Sequence, residues 1–246
     1  MYTILLEDTW LEDAQDIIDY CSDLHYEYHI YSVDELYEFD SIKFFAPNNV
    51  YFCNTDIVQY HLNKVNLWNL TFVPDTYEQI YQQFYKRNIQ RRLYGSIDQN
   101  TELPLFMKPV TNDKIFDGQV FYSEDTFLGK IPTNDTMVYT TDVLTILSEY
   151  RLLIGNSKLY GKGLISGINL DDVLPNKMIN EICNCTDNLF RCIDIGYSKE
   201  LKNWIIIEIN PPFSLDDHHI PLADYMTFCI DSCKNINSYV SNKHVV

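Results

Sequence analysis

Residues 204 to 212 read WIIIEINPP, and this run constrains the chain more than any other. It predicts a strand, and strand side chains alternate between two faces. Ile205, Ile207 and Ile209 fall on one face, and Trp204, Ile206, Glu208 and Asn210 on the other. A carboxylate and an amide then project together from the end of a very apolar strand. Burying them is costly unless something satisfies them. Water at a strand end would do so, as would a hard cation, which takes oxygen ligands.

The preceding strand sharpens that choice. The segment CIDIG sets Asp194 among apolar residues. If the turn YSKELKN centres near Leu201, Asp194 lies opposite Glu208. Opposed residues on antiparallel strands have Cβ atoms roughly 4.5–5.5 Å apart. Two carboxylates that close repel unless a cation or a proton lies between them. Asp194, Glu208 and Asn210 therefore form a candidate Mg2+ site, with phosphates completing the octahedron.

Upstream, PLFMKPV places Lys108 in an apolar strand, in face with Phe106 and Val110. Burial penalises the ammonium, so Lys108 needs an anionic partner or a path to water. A nucleotide phosphate would serve. The segment TNDKIFDG follows, with Lys114 and Gly118 in a turn-rich loop able to close over phosphates. SEYR sets Glu149 and Arg151 on one face of a strand. Arginine suits a transferring phosphoryl group or an acyl phosphate, and a Glu–Arg structural pair is the alternative.

Around these segments the chain divides in two. Residues 1–72 alternate strands (2–6, 28–33, 49–53 and, more weakly, 68–73) with a helix from Thr9 to about Leu24, which predicts a small parallel sheet. Residues 73–246 open with a predicted helix from Asp75 or Thr76 to about Tyr94, carrying KRNIQRR. On it Arg87 and Arg91 share one face, and Arg92 follows. Strands are predicted at 103–110, 118–123 and 136–140, a helical turn at 143–148, and a hairpin of 150–154 with 158–164 around Gly155-Asn156. A helix at 175–185, a hairpin of 189–196 with 204–210, and a helix at 222–240 complete the reading.

Composition excludes several classes. Hydrophobic residues make up 46%, enough to fold. A formal net charge of -17 repels nucleic acid and favours a basic partner or an amine. No apolar stretch approaches the roughly 20 residues that span a bilayer, and MYTILLEDTW does not read as a secretory signal. The seven cysteines show neither a disulfide framework nor zinc spacing. These features lead to the expectation of a cytoplasmic protein.

The motifs FMKPV, KIFDG, EYR, DIG and EINP, in this order, resemble the ATP-grasp superfamily. More closely, they resemble its clade common in viral and phage genomes and marked by one Arg and two Lys. The resemblance covers about residues 72 to 215. It implies an α+β fold in which two α+β subdomains, about 73–140 and 141–246, grip ATP, preceded by the α/β domain at 1–72. It implies that Lys108 and Lys114 contact ATP phosphates, that Arg87 is the clade's arginine, and that Val138 and Tyr139 lie in a hinge whose backbone meets adenine. Arg151 would face the γ-phosphate or acyl phosphate, Glu149 would join the nucleotide site, and Asp194, Glu208 and Asn210 would hold Mg2+. The activity expected is ligation of a carboxylate to an amine or a peptide acceptor, through an acyl phosphate. Two rivals differ in what they release. Adenylyl transfer through Lys114 would give AMP, and a non-catalytic ATP-binding interaction protein would release nothing.

Overall fold

A computed structural model describes residues 1–10, 14–67, 72–98, 102–110, 116–123, 128, 130–170, 173–213 and 218–244. The N-terminal part contains β1 (Thr3–Glu7), α1 (Gln15–Asp23), β2 (Glu27–Tyr31), α2 (Val33–Glu38), α3 (Ser41–Phe44), β3 (Asn49–Phe52) and α4 (Thr55–Lys64). The strands pair in parallel in the order β2-β1-β3, as the alternating rhythm predicts. Two boundaries move. Thr9 does not cap α1; its hydroxyl bonds the buried Glu7 carboxylate, and the helix starts after Ala14. The strand expected to reach residue 33 stops at Tyr31, because Ser32 and Glu35 form a capping box that opens α2. Of the strand expected at 68–73, residues 68–71 lie outside the described residues, and 72 and 73 are not in a strand.

The helix expected from residue 75 to residue 94 does not form. Instead there is a 3-10 turn (Gln79–Tyr81), a short α5 (Gln82–Tyr85) and then β4 (Ile89–Leu93). Lys86 takes a left-handed conformation, φ 49°, which ends the helix. Residues 89–93 then gain a full ladder against a neighbouring strand, and pairing outweighs the helix propensity of IQRRL. Arg87 and Arg91 therefore share no helix face.

With β5 (Leu105–Pro109), β6 (Gln119–Phe121) and β7 (Met137–Thr141), β4 forms an antiparallel sheet in the order β4-β7-β5-β6. The chain then enters β8 (Ile146–Gly155) directly, so the helical turn expected at 143–148 is absent. β8 returns through β9 (Lys158–Gly167). Its two-residue turn is Asn156-Ser157, both at positive φ (49° and 57°), one residue later than the sequence suggests. After α6 (Asn176–Thr186), β10 (Phe190–Ser198) and β11 (Asn203–Asn210) complete a third sheet, in the order β11-β10-β8-β9. The chain ends on α7 (Leu222–His244).

One face of the third sheet packs on α6 and the 79–85 segment, burying Tyr150, Leu152, Ile193, Ile195 and Trp204. The other face is apolar where α7 crosses β8 and β9. There Leu153, Phe190 and Cys192 join one core with β1, β3 and α7. The division at residue 72 thus separates sheets but not cores. The seven cysteines are free thiols. No helix among the described residues is long and apolar enough to cross a membrane.

Candidate active site

Register alone brings the chemistry together. Arg151 on β8 pairs with Asp194 on β10, and Asp194 pairs with Glu208 on β11, as the turn-centred reading requires. Directly opposed residues share a face, so these three side chains and Asn210 lie side by side on the sheet face away from α6.

The strand reaches this arrangement by a route the alternation rule misses. Ile195 pairs with Ile206, yet Asp194 pairs with Glu208, so Ile207 is an extra residue, a β-bulge. A one-residue insertion reverses which face the following side chains occupy. Trp204, Ile206 and Ile209 all pack in the same core, which unbroken alternation forbids. Glu208 and Asn210 are therefore opposite Trp204 and Ile206, not beside them. Without the bulge, Glu208 would point into the apolar core.

On the second sheet, Arg91, Tyr139 and Lys108 are in register across β4, β7 and β5 and share one face. That face meets the third sheet through an ion pair, Lys108 Nζ to Glu208 Oε2 at 2.6 Å. Arg151 forms a bidentate fork on Asp194, Nε to Oδ1 and Nη2 to Oδ2, both 2.9 Å. The Asn210 amide donates to Asp194 Oδ2 and to Glu208 Oε1, both 3.0 Å.

These contacts set the charge states. Burial works against the Glu208 carboxylate, but Lys108 and Asn210 outweigh it and hold its pKa below the ordinary value. Burial likewise opposes the Lys108 ammonium, and Glu208 outweighs it, leaving the lysine above its usual pKa. Asp194, only 2% exposed, is raised by burial, with the Arg151 fork offsetting part of that rise. Glu149, next along the Arg151 face, has no arginine fork. Burial, then the charges of Asp194 and Glu208, push it up to about 7.

The Glu149 shift has a testable sign. A carboxyl raised in the folded state favours folding below its unfolded pKa, and that contribution is lost as pH rises through its folded pKa. Between about pH 4.5 and 7 wild type should therefore lose stability relative to Glu149→Gln. Thermal melts at pH 5 and pH 8 should show the variant gaining a few degrees only at pH 8, roughly 1 kcal/mol. Equal offsets at both pH values would contradict the assignment.

The remaining expected residues fall elsewhere. Val138 and Tyr139 are not in a hinge. They lie within β7, paired on both sides with Arg92 and Pro109 and with Arg91 and Lys108, so neighbouring strands occupy their backbone. The connection at 142–145 joins the two sheets instead. Lys114 lies outside the described residues. Gly118 sits against β5, where a Cβ would meet the Phe106 ring at 2.9 Å and Lys108 Cβ at 3.4 Å. Of the three arginines, Arg91 is on the Lys108 face and exposed. Arg92 faces the other way and pairs with Glu102 at 2.6 Å. Arg87 packs over the Tyr77 ring and donates to backbone carbonyls of β11.

Two groups escaped the sequence reading. Tyr77 and Asp75 line the Lys108 side, Tyr77 edge-on to the Tyr139 ring and Asp75 accepting from the Tyr139 hydroxyl. Arg191 on β10 is 1% exposed and forks onto Glu78, two contacts of 2.9 Å. An arginine inside the apolar run FRCIDIG is the same signal that singled out Lys108.

Among the described residues, no three His, Cys, Asp or Glu side chains are placed to hold a metal. Asp194 and Glu208 gain a third oxygen donor only from Asn210. The amide stands 3.0 Å from both carboxylates, and its oxygen and nitrogen differ by a rotation of the side chain. Turned over, it completes an all-oxygen set with two carboxylates, which suits Mg2+.

Solved structures place this architecture. D-alanine–D-alanine ligase from Bacillus anthracis, complexed with ATP, superposes with a TM-score of 0.60 at 11% identity, covering 97% of this chain and 99% of that one. The macrocyclase MdnC from Microcystis aeruginosa, bound with precursor peptide MdnA, gives 0.58 at 10%, covering 93% and 99%. The ligase PsnB, complexed with a minimal precursor, gives 0.53 at 8%, covering 99% of each. Likeness at such identities establishes the ATP-grasp fold. No curated protein matches the sequence. A family model described as an ATP-grasp domain, the second family of its R-two-K clade, matches residues 84–228, which is more than half of the chain and takes in every candidate residue from Arg87 to Asn210; the chain belongs to that family.

Proposed function

We propose that the chain is an Mg-ATP-dependent ligase joining a carboxylate to an amine. The observation that carries this reading is the convergence of opposite charges where the second and third sheets meet. Lys108 from one sheet pairs with Glu208 of the other, which Asn210 links to Asp194 and its Arg151 fork. The carboxylates and the amide suit a divalent cation, and the lysine and arginine suit phosphate oxygens.

On this reading Asp194, Glu208 and Asn210 hold Mg2+, which supplies charge neutralisation on the phosphates. Lys108 fixes the nucleotide phosphates, and Lys114, from its place in KIFDG, is the second phosphate lysine. Arg151 faces the γ-phosphoryl group. A carboxylate oxygen of the substrate attacks the γ-phosphorus and the bond to the β-phosphate oxygen breaks, giving an acyl phosphate and ADP. The amine then attacks the acyl carbon, phosphate leaves, and the amine proton passes to solvent. Charge neutralisation in flight is the main contribution such sites make to phosphoryl transfer. The precursor peptides bound by MdnC and PsnB support a peptide as one substrate. The net charge of -17 favours a basic one.

Hydroxylamine tests the reaction class, because it intercepts an acyl phosphate as a hydroxamate. Incubation with Mg-ATP, hydroxylamine and a pool of amino acids and peptides should yield ADP and a hydroxamate. Arg151→Ala should lower the yield about 100-fold or more. Release of AMP and pyrophosphate would instead establish adenylyl transfer.

A further inference from the structure

The two terminal nitrogens of Arg87 bond two consecutive carbonyls, Nη1 to Ile206 O at 2.9 Å and Nη2 to Ile207 O at 2.8 Å. In a regular strand consecutive carbonyls point in opposite directions across the ladder. One guanidinium can hold both only where the strand bulges, and these residues are where the register shifts. The bulge has its own room. A Cβ on Gly196 would lie 2.6 Å from Ile207 Cδ1, so the missing side chain at 196 accommodates the inserted residue. β11 is the outer strand of its sheet, and among the described residues no strand beyond it takes up those carbonyls. One residue past Glu208, Ile209 N donates to Thr76 O at 3.1 Å, so the 76–87 segment braces both sides of Glu208.

We infer that Arg87 is a positioning residue: its fork fixes the bulge at Ile207 and thereby holds Glu208 out of the core, opposite Asp194 and Lys108. Arg87 then acts on the metal through the phase of β11 and not by touching the phosphates. A guanidinium is required, because its planar fork spans two acceptors, whereas an ammonium is a point donor. The inference rests on the reading of Asp194, Glu208 and Asn210 as the metal site, and its test separates the two.

Arg87→Lys keeps the charge and loses the fork. In the first arm, Mg2+ is titrated at saturating ATP and the thermal shift is followed. The Mg2+ concentration at half-shift should rise 10- to 100-fold, the usual effect of losing a group that orients a metal ligand. ATP affinity at saturating Mg2+ should change less than about threefold. In a Glu208→Gln background, Arg87→Lys should add nothing to the Mg2+ midpoint, since the two act on one element. In the second arm, backbone hydrogen exchange of the 203–210 peptide is measured without ligands. It should speed up at least about tenfold in Arg87→Lys and stay as in wild type in Lys177→Ala, a change at an exposed lysine of α6. Unchanged exchange would overturn the inference, as would ATP affinity that falls equally at every Mg2+ level. Failure of Mg-ATP to shift wild type would sink the nucleotide reading alone, leaving exchange to decide the role of Arg87. If Arg87→Lys does not fold, Arg87→Gln replaces it in both arms, with the same outcomes required.

Discussion

Replacing Glu208 by Gln is expected to weaken Mg2+ binding to the ATP-loaded protein by about 100-fold or more, since a ligand should matter at least as much as the groups that orient ligands. The substitution keeps the side-chain shape and its bond with Asn210. Relief of repulsion with Asp194, taken by itself, would raise the stability of the apo variant. The structure reverses that sign. Each carboxylate already has its own cation, Lys108 for Glu208 and Arg151 for Asp194. Glu208→Gln strands the Lys108 ammonium in a largely buried place, so apo stability should fall by roughly 1–3 kcal/mol. The linkage has the same sense. The Glu208 pKa is lowered by folding, so its contribution is present above the unfolded carboxylate value and lost as pH falls through the folded one. Titration with Mg2+ at saturating ATP, together with apo melts, checks both statements. A near-normal Mg2+ midpoint removes Glu208 from the site.

Glu78→Ala is expected to cost about 3–5 kcal/mol of stability, because it leaves the guanidinium of Arg191 buried and uncompensated. The pair is almost dry, with side chains 1% and 12% exposed, and it joins segments 113 residues apart. At about 2–4 °C per kcal/mol for a chain of this size, the melting point should drop by roughly 6–20 °C. Replacing both partners by apolar groups, Glu78→Leu with Arg191→Met, should recover most of the loss, since no charge is then left unpaired. A drop below about 2 °C in the single variant would show that water reaches Arg191. The pair anchors the segment from which Thr76 and Arg87 reach β11, so Glu78→Ala should also loosen the Mg2+ site at temperatures where the variant is folded.

What could be read in advance depended on range and on chemistry. Asp194 opposite Glu208 was legible because a short hairpin fixes register from the turn outwards. Lys108 stood out because a charge in an apolar strand demands a partner, and its partner proved to be Glu208. The phase of Glu208 was not legible. Three consecutive isoleucines carry no alternation in which an inserted residue would register, and only the pairing with β10 exposes it. IQRRL looked helical because its arginines and glutamine favour helices in isolation, and the left-handed Lys86 that stops the helix leaves no signature in residue type. Arg87 bonds backbone carbonyls, which every residue possesses, so its position could not be inferred from any complementary side chain. Val138 and Tyr139 were misplaced by a single short segment, since a strand and the connection after it have similar composition.

The paired charges where the two sheets meet make the two ligands of the proposed reaction mutually dependent. A divalent cation arriving alone would have to displace Lys108 and Arg151 from their carboxylates and leave both cations unpaired. A polyphosphate arriving alone would capture those cations and leave Asp194 and Glu208 facing each other. Arriving together, they effect a double exchange: each charge surrenders one partner and acquires another, and nothing is stranded. Metal and nucleotide should therefore raise each other's affinity reciprocally, by the roughly 1–3 kcal/mol typical of coupled sites, because the ion pairs between the sheets oppose either one alone.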